Sequence, residues 1–286
     1  MAAQHARSVR LLGFGIALVG YLFGLQALLR HGIMLNGGDG GGDVFAYWTA
    51  GGHLLRGEPI YAAGVGGYAA YLYPPVLAQL FMPLANLPLP VVAWIWRAVE
   101  VACLRIATGS WTVAGIAILV FPPVIAEIDA GNVHLLIAAG VAAAIRGRAE
   151  TVVPVALTKF ATLAAAPMAL RRNPRALLAG LGVAMGMVLV SFALRPDLWW
   201  EYTRFATHVG SADSGWYNLG AFIPTWARVV LAIGAIAWSL RQPRAAALAA
   251  TLALPVLWFH GLSVLVAVVA TPGAPRAWRS GPGAPR

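Results

Sequence analysis

Long apolar stretches recur along the chain, separated by short arginine tracts or by longer polar loops. They lie near residues 11–29, 73–88, 90–107, 111–127, 132–146, 150–170, 175–194, 219–240 and 245–270. Apolar runs of about 18 residues or more read as spanning helices. The pattern predicts an all-α fold, a polytopic transmembrane helix bundle with about 8–10 membrane segments. Several segments carry internal breaks at Pro74-Pro75, Pro83, Pro88, Pro90, Pro122-Pro123, Pro154 and Pro167. Proline removes a backbone donor and clashes with the preceding turn, so broken or re-entrant helices are expected. In lipid the freed carbonyls need protein or water partners, and such breaks therefore imply a polar cavity. The first segment follows Arg7 and Arg10 and is succeeded by Arg30 and His31 rather than by a small-residue cleavage site. It reads as an uncleaved helix rather than a signal peptide.

Composition supports this reading. Of the 286 residues, 60% are hydrophobic and 10% charged, and the mean hydropathy is +0.75. A soluble chain of this length could not bury so much apolar surface. The formal charge of +10 does not signal a nucleic-acid partner. All but one of the basic residues are arginines, and many sit in short tracts at segment ends, where positive charge marks the cytoplasmic side. Arg7 and Arg10, Arg146 and Arg148, Arg171-Arg172 with Arg175, Arg241 with Arg244, and Arg276 with Arg279 and Arg286 are placed inside. Six of the ten acidic residues lie in two longer loops, 31–72 and 195–218, which are placed outside. Parity requires 73–107 to cross once net and 150–170 to enter and return on the inner side. The chain reads as a single transmembrane domain over 1–270, with interfacial helices in the first loop and a disordered basic cytoplasmic tail over 271–286. The lone Cys103 rules out an intramolecular disulfide.

Chemistry concentrates in the first loop. A glycine-rich run precedes Asp43, followed by Val44-Phe45-Ala46-Tyr47-Trp48-Thr49-Ala50, a stretch suited to an amphipathic interfacial helix. Asp43 could cap that helix or face a ligand. Tyr47, Tyr61 and Tyr73 could stack on sugar or anchor at lipid headgroups. Lys159, the single lysine, falls inside an apolar segment, where a charge is costly unless it is functional or reaches the interface. Arg97 could pair with Glu100 three residues on. His260 could be a ligand or a packing residue. Glu127 and Asp129 could line a cavity, bind a cation or sit in a solvated turn. No P-loop, HExxH, paired CxxC or GxSxG occurs, and no metal cluster is evident.

The series Asp43-x-x-x-Tyr47, Arg56-Gly57-Glu58-Pro59-Ile60-Tyr61, Tyr73-Pro74-Pro75 and Phe81-x-Pro83-Leu84-x-x-Leu87-Pro88 resembles the bacterial membrane mannosyltransferases of glycosyltransferase family 87. Gly131-Asn132-Val133-His134 is similar to that family's Gly-Gln-x-Asn turn, with Asn132 in place of its glutamine. Thr158-Lys159 with Pro167 resembles its lysine-proline segment, with the proline late. Trp258-Phe259-His260 resembles its Trp-x-His element. The resemblance implies a GT-C bundle in the bacterial cytoplasmic membrane. It implies transfer of a hexose, usually mannose, from a polyprenyl-phosphate donor to a lipid or cell-envelope acceptor on the outer side, without cofactor or metal. Asp43 would be the base, and Lys159 and His260 would bind the donor phosphate. Tyr47, Tyr61, Tyr73, Asn132 and His134 would shape the cavity. The chain ends soon after His260, where relatives usually continue, so an inactive, truncated relative stands as one alternative. A transporter or lipid flippase is the other, because such proteins also use broken helices and buried charge.

Overall fold

The computed structural model describes residues 41–61, 70–208 and 219–273. The expected first span at 11–29, parts of both loops and the tail beyond 273 lie outside the described residues. Among the described residues all regular structure is helical. The α-helices are α1 (Gly42–Arg56), α2 (Pro75–Phe81), α3 (Leu89–Thr108), α4 (Trp111–Val120), α5 (Pro122–Ala130) and α6 (His134–Ile145). They continue as α7 (Val152–Ala156), α8 (Ala166–Arg172), α9 (Pro174–Leu194), α10 (Pro196–His208), α11 (Thr225–Ser239) and α12 (Ala245–Leu252). Tight 3₁₀ turns fill Leu84–Asn86, Ala149–Thr151, Phe160–Ala165, Leu219–Phe222 and Phe259–Val269.

Proline decides where the helices stop. Pro75, Pro90, Pro122, Pro167 and Pro174 each stand in the first turn of a helix, where the missing N–H costs nothing. As a result, among the described residues only α9 is an unbroken helix both long and apolar enough to cross a membrane. A second counts if α3 and α4, bent by 111° at Gly109-Ser110, form one broken span. At 21 residues and 1.5 Å per residue, α9 reaches about 31 Å, close to the apolar thickness of a bilayer. Its Leu178, Leu181, Val183, Leu189 and Val190 are exposed, as are Trp226, Val230 and Ile233 on α11. These faces suit lipid.

The pieces run between two poles. At the basic pole Arg146 donates to the carbonyls of Ile106 (2.6 Å) and Ala107 (2.7 Å), completing orphan acceptors near the end of α3. Arg171 donates to Leu240 O at 3.1 Å, Arg244 to Ala270 O at 3.1 Å, and Arg172 to Gly273 O. Asn173 joins Gly147 O at 2.9 Å. The far end of α6 starts at His134, so its 12 residues separate the basic pole from the opposite one by about 18 Å. The segment 149–172 leaves the basic pole, reaches Lys159 beside His134, and returns to Arg171 and Arg172.

At that opposite pole α1 packs its buried face, Val44, Ala46, Tyr47, Ala50 and Leu54, against α2 and α3. Trp48 Nε1 donates to Leu87 O at 3.0 Å. Gly41 precedes α1 with φ 94°, and a Cβ there would lie 2.8 Å from the carbonyl oxygens of Asp129 and Ala130. Gly131 ends α5 with φ 69°, and a Cβ there would lie 2.2 Å from Val44 Cγ2. Two glycines thus let the start of α1 lie directly on the 129–132 turn. The expected Arg97–Glu100 pair does not form. Arg97 lies over the Trp94 ring at 4.9 Å, and both Glu100 carboxylate oxygens are buried without a hydrogen-bond partner among the described residues.

Replacing Gly131 by Ala should therefore destabilise the protein by about 1–3 kcal/mol, from the left-handed backbone and the overlap with Val44. Gly57→Ala, at φ 71° but in open space, should cost distinctly less. Thermal melts of the two detergent-solubilised variants compare them, and equal losses would refute the packing role of Gly131.

Candidate active site

Four pieces of chain meet at the pole opposite the arginines. The first turn of α1 brings Asp43, the approach to α2 brings Tyr73, the α5–α6 turn brings Asn132 and His134, and the break between α7 and Phe160–Ala165 brings Lys159. Gly41, not Asp43, occupies the cap position of α1, and it makes no side-chain cap bond. The Asp43 carboxylate turns away from its helix toward the turn.

Asn132 is the centre of the cluster and is 3% exposed. Its Nδ2 donates to Asp43 Oδ2 at 2.7 Å. Its Oδ1 accepts from Lys159 Nζ at 2.9 Å and from the Val133 N–H at 2.7 Å. An amide between an anion and a cation has one favourable orientation, NH₂ to the carboxylate and oxygen to the ammonium. The Tyr73 hydroxyl lies 3.0 Å from Asp43 Oδ1 and 3.2 Å from Asn132 Oδ1, and accepts from Tyr47 at 3.0 Å. It has one proton to give to either oxygen. Lys159 also lies 5.4 Å above the Tyr73 ring centre. Its backbone is extended at φ −146° and ψ 131°, so the side chain emerges from a break rather than from a helix face.

A second layer lies beneath. Glu127 and His134 are both fully buried, with Oε2 of Glu127 2.8 Å from His134 Nδ1. Glu127 Oε1 accepts from the His134 backbone N–H at 2.5 Å. His134 Nε2 lies 3.1 Å from Lys159 Nζ. His260 lies beside it, ring centres 5.3 Å apart and tilted by 48°, with its own Nε2 buried and unpartnered among the described residues. Burial raises the Asp43 carboxyl above the ordinary aspartate range, against the opposing pull of Lys159 and of the Asn132 and Tyr73 hydrogen bonds.

Of the residues expected from sequence, Asp43, Lys159, Tyr47, Tyr73, Asn132, His134 and His260 converge here. Tyr61 does not enter the polar network. Its hydroxyl donates to Tyr73 O at 2.7 Å, and its ring packs against Tyr202 and Phe205. It supports the segment carrying Tyr73. Glu127, one of several open readings in the sequence, is fully internal. Its signal was a carboxylate inside an apolar run. Glu127, His134 and His260 could also hold a metal, since their ligand atoms lie within 4.8 Å of one another. A His₂Glu set suits zinc, but the Glu127 carboxylate and the Lys159 ammonium already engage the two ring nitrogens of His134.

Replacing Asn132 by Leu, close in volume, should leave Asp43 and Lys159 without their shared partner and destabilise the protein by about 1–3 kcal/mol. A melting midpoint in detergent unchanged from that of the parent would refute the bridging role.

Comparison with known proteins completes the picture. The model of glycosyltransferase family 87 matches residues 71–284. The matched region contains Tyr73, Asn132, His134, Lys159 and His260, while Asp43 precedes it and is joined to it by the contacts above. No curated protein and no solved structure matches the chain. The family is one of membrane glycosyltransferases, which favours sugar transfer over transport and implies a sugar donor and an acceptor. With a match covering well over half of its length, the chain belongs to glycosyltransferase family 87.

Proposed function

We propose that this protein transfers a hexose, mannose by family resemblance, from a polyprenyl-phosphate donor to a hydroxyl of a lipid or cell-envelope acceptor. The site would open on the outer side of a bacterial cytoplasmic membrane, crossed several times by the chain. The observation that carries this reading is one amide, Asn132, holding a carboxylate and an ammonium side by side without letting them pair directly. Glycosyl transfer from a lipid phosphate needs those two charges: a base for the acceptor hydroxyl and a cation for the departing phosphate.

Asp43 takes the proton of the acceptor hydroxyl as its oxygen attacks the anomeric carbon. The carbon–oxygen bond to phosphate breaks, and the electron pair leaves with the polyprenyl phosphate. Lys159 has two N–H bonds engaged, to Asn132 and His134, and one left for a phosphate oxygen. The unpartnered His260 Nε2 is a second contact for that phosphate. Tyr47 and Tyr73 orient the carboxylate. The basic pole about 18 Å away supports the sidedness, because arginines collect on the cytoplasmic side.

Proteoliposomes supplied with radiolabelled polyprenyl-phosphate-mannose test the assignment. Asp43→Asn should lower transfer by about 10²–10⁴-fold, and Lys159→Ala by about 10²–10³-fold. Equal transfer by the parent and Asp43→Asn would end the role of Asp43. Labelled glucose transferred in preference to mannose would end the sugar assignment.

The same assay should show a pH dependence. A base must be unprotonated, and a raised carboxyl is protonated at higher pH than an ordinary aspartate. The acid limb of kcat/KM should therefore fall above the usual aspartate value of about 3.9. An acid limb at or below that value would contradict the burial of Asp43.

A further inference from the structure

The transferase reading leaves Glu127 without a part, yet it is fully buried and makes two of the shortest contacts in the cluster. One oxygen closes the first turn of α6 by accepting the His134 backbone N–H. The other faces the His134 ring at Nδ1. On the far side of the ring Nε2 meets Lys159 Nζ at 3.1 Å. A lysine ammonium can only donate, and a carboxylate can only accept. The ring between them therefore carries its proton on Nδ1, toward Glu127, and presents a lone pair on Nε2, toward Lys159.

We infer that Glu127 is a positioning residue for Lys159: it locks His134 in the Nδ1–H tautomer so that Nε2 accepts from the Lys159 ammonium and aims it at the donor phosphate. Carboxylates that accept the outer N–H of a metal-bound histidine orient it by the same logic; here the oriented object is a lysine. Asn132 supplies the other acceptor, so the ammonium is fixed from two directions. Without the lock, an Nε2–H tautomer would point a donor at a cation, and Lys159 would swing away. The activity arm of this inference rests on the transferase reading, whereas the tautomer itself does not.

The first test is ¹⁵N-histidine NMR of the full chain in lipid nanodiscs, with the His134 signal assigned against His134→Gln. His134 should be protonated at Nδ1 and bare at Nε2. A proton on Nε2 would overturn the inference, whatever any variant does. The second test is transfer kinetics. Glu127→Gln keeps one acceptor where two are needed, so it should raise the donor KM by about 10-fold or more, the scale seen when second-shell partners are lost. In a Lys159→Ala background the same change should add little, because both act through one group. Fully additive losses would overturn the inference and reduce Glu127 to a helix cap. Stoichiometric zinc binding by the purified protein, lost in Glu127→Gln, would overturn it in favour of a metal site. The tautomer as stated, combined with no transfer by the parent protein, would support the lock and sink only the transferase reading.

Discussion

The Asn132 amide is the interaction on which the site depends. A carboxylate and an ammonium left together in a low-dielectric pocket would collapse into a contact pair, each using up the other's hydrogen-bonding capacity. An amide interposed between them satisfies one oxygen of Asp43 and one N–H of Lys159, and holds the two charges apart. Each keeps a free side. Tyr73 and His134 then set the remaining directions. Removing the bridge would alter both charged groups at once.

The broken helices serve this arrangement. An unbroken helix keeps its backbone groups in its own ladder and offers a pocket only one face. The run from Ala149 to Arg172 instead goes in, opens its backbone at Lys159, and comes out on the side where it entered. Proline sets the pieces, and the arginines of the basic pole complete carbonyls there. A polar interior and a lipid-compatible exterior follow from the same breaks. They also explain why, among the described residues, so many apolar runs give so few straight helices of spanning length.

Much of this was legible beforehand, for identifiable reasons. Apolar runs mark α3, α6 and α9 because burial in lipid needs length and little else. Lys159 stood out because a charge in an apolar run is expensive, and Asp43 because an acid follows a glycine tract. The contact of Asp43 with Asn132 was not readable, since it spans 89 residues and is set by packing at two glycines. Glu127 remained one reading among several, because its partner lies seven residues away beyond the helix end at Gly131, where helical periodicity no longer says which side chains meet. Which apolar segments form one continuous helix was not readable, because hydropathy sees composition while proline decides continuity. Tyr61 and Tyr73 looked alike in the loop, and only the fold separates the ring that faces Asp43 from the ring that props the chain behind it.

The meeting of Gly41 with the 129–132 turn is a contact of backbone on backbone. No side chain mediates it, so no substitution elsewhere can trade volume to restore it. Drift in this part of the protein is therefore pinned at one position: any residue larger than glycine at 41 must lift the start of α1 off the turn, and Asp43 off Asn132 with it.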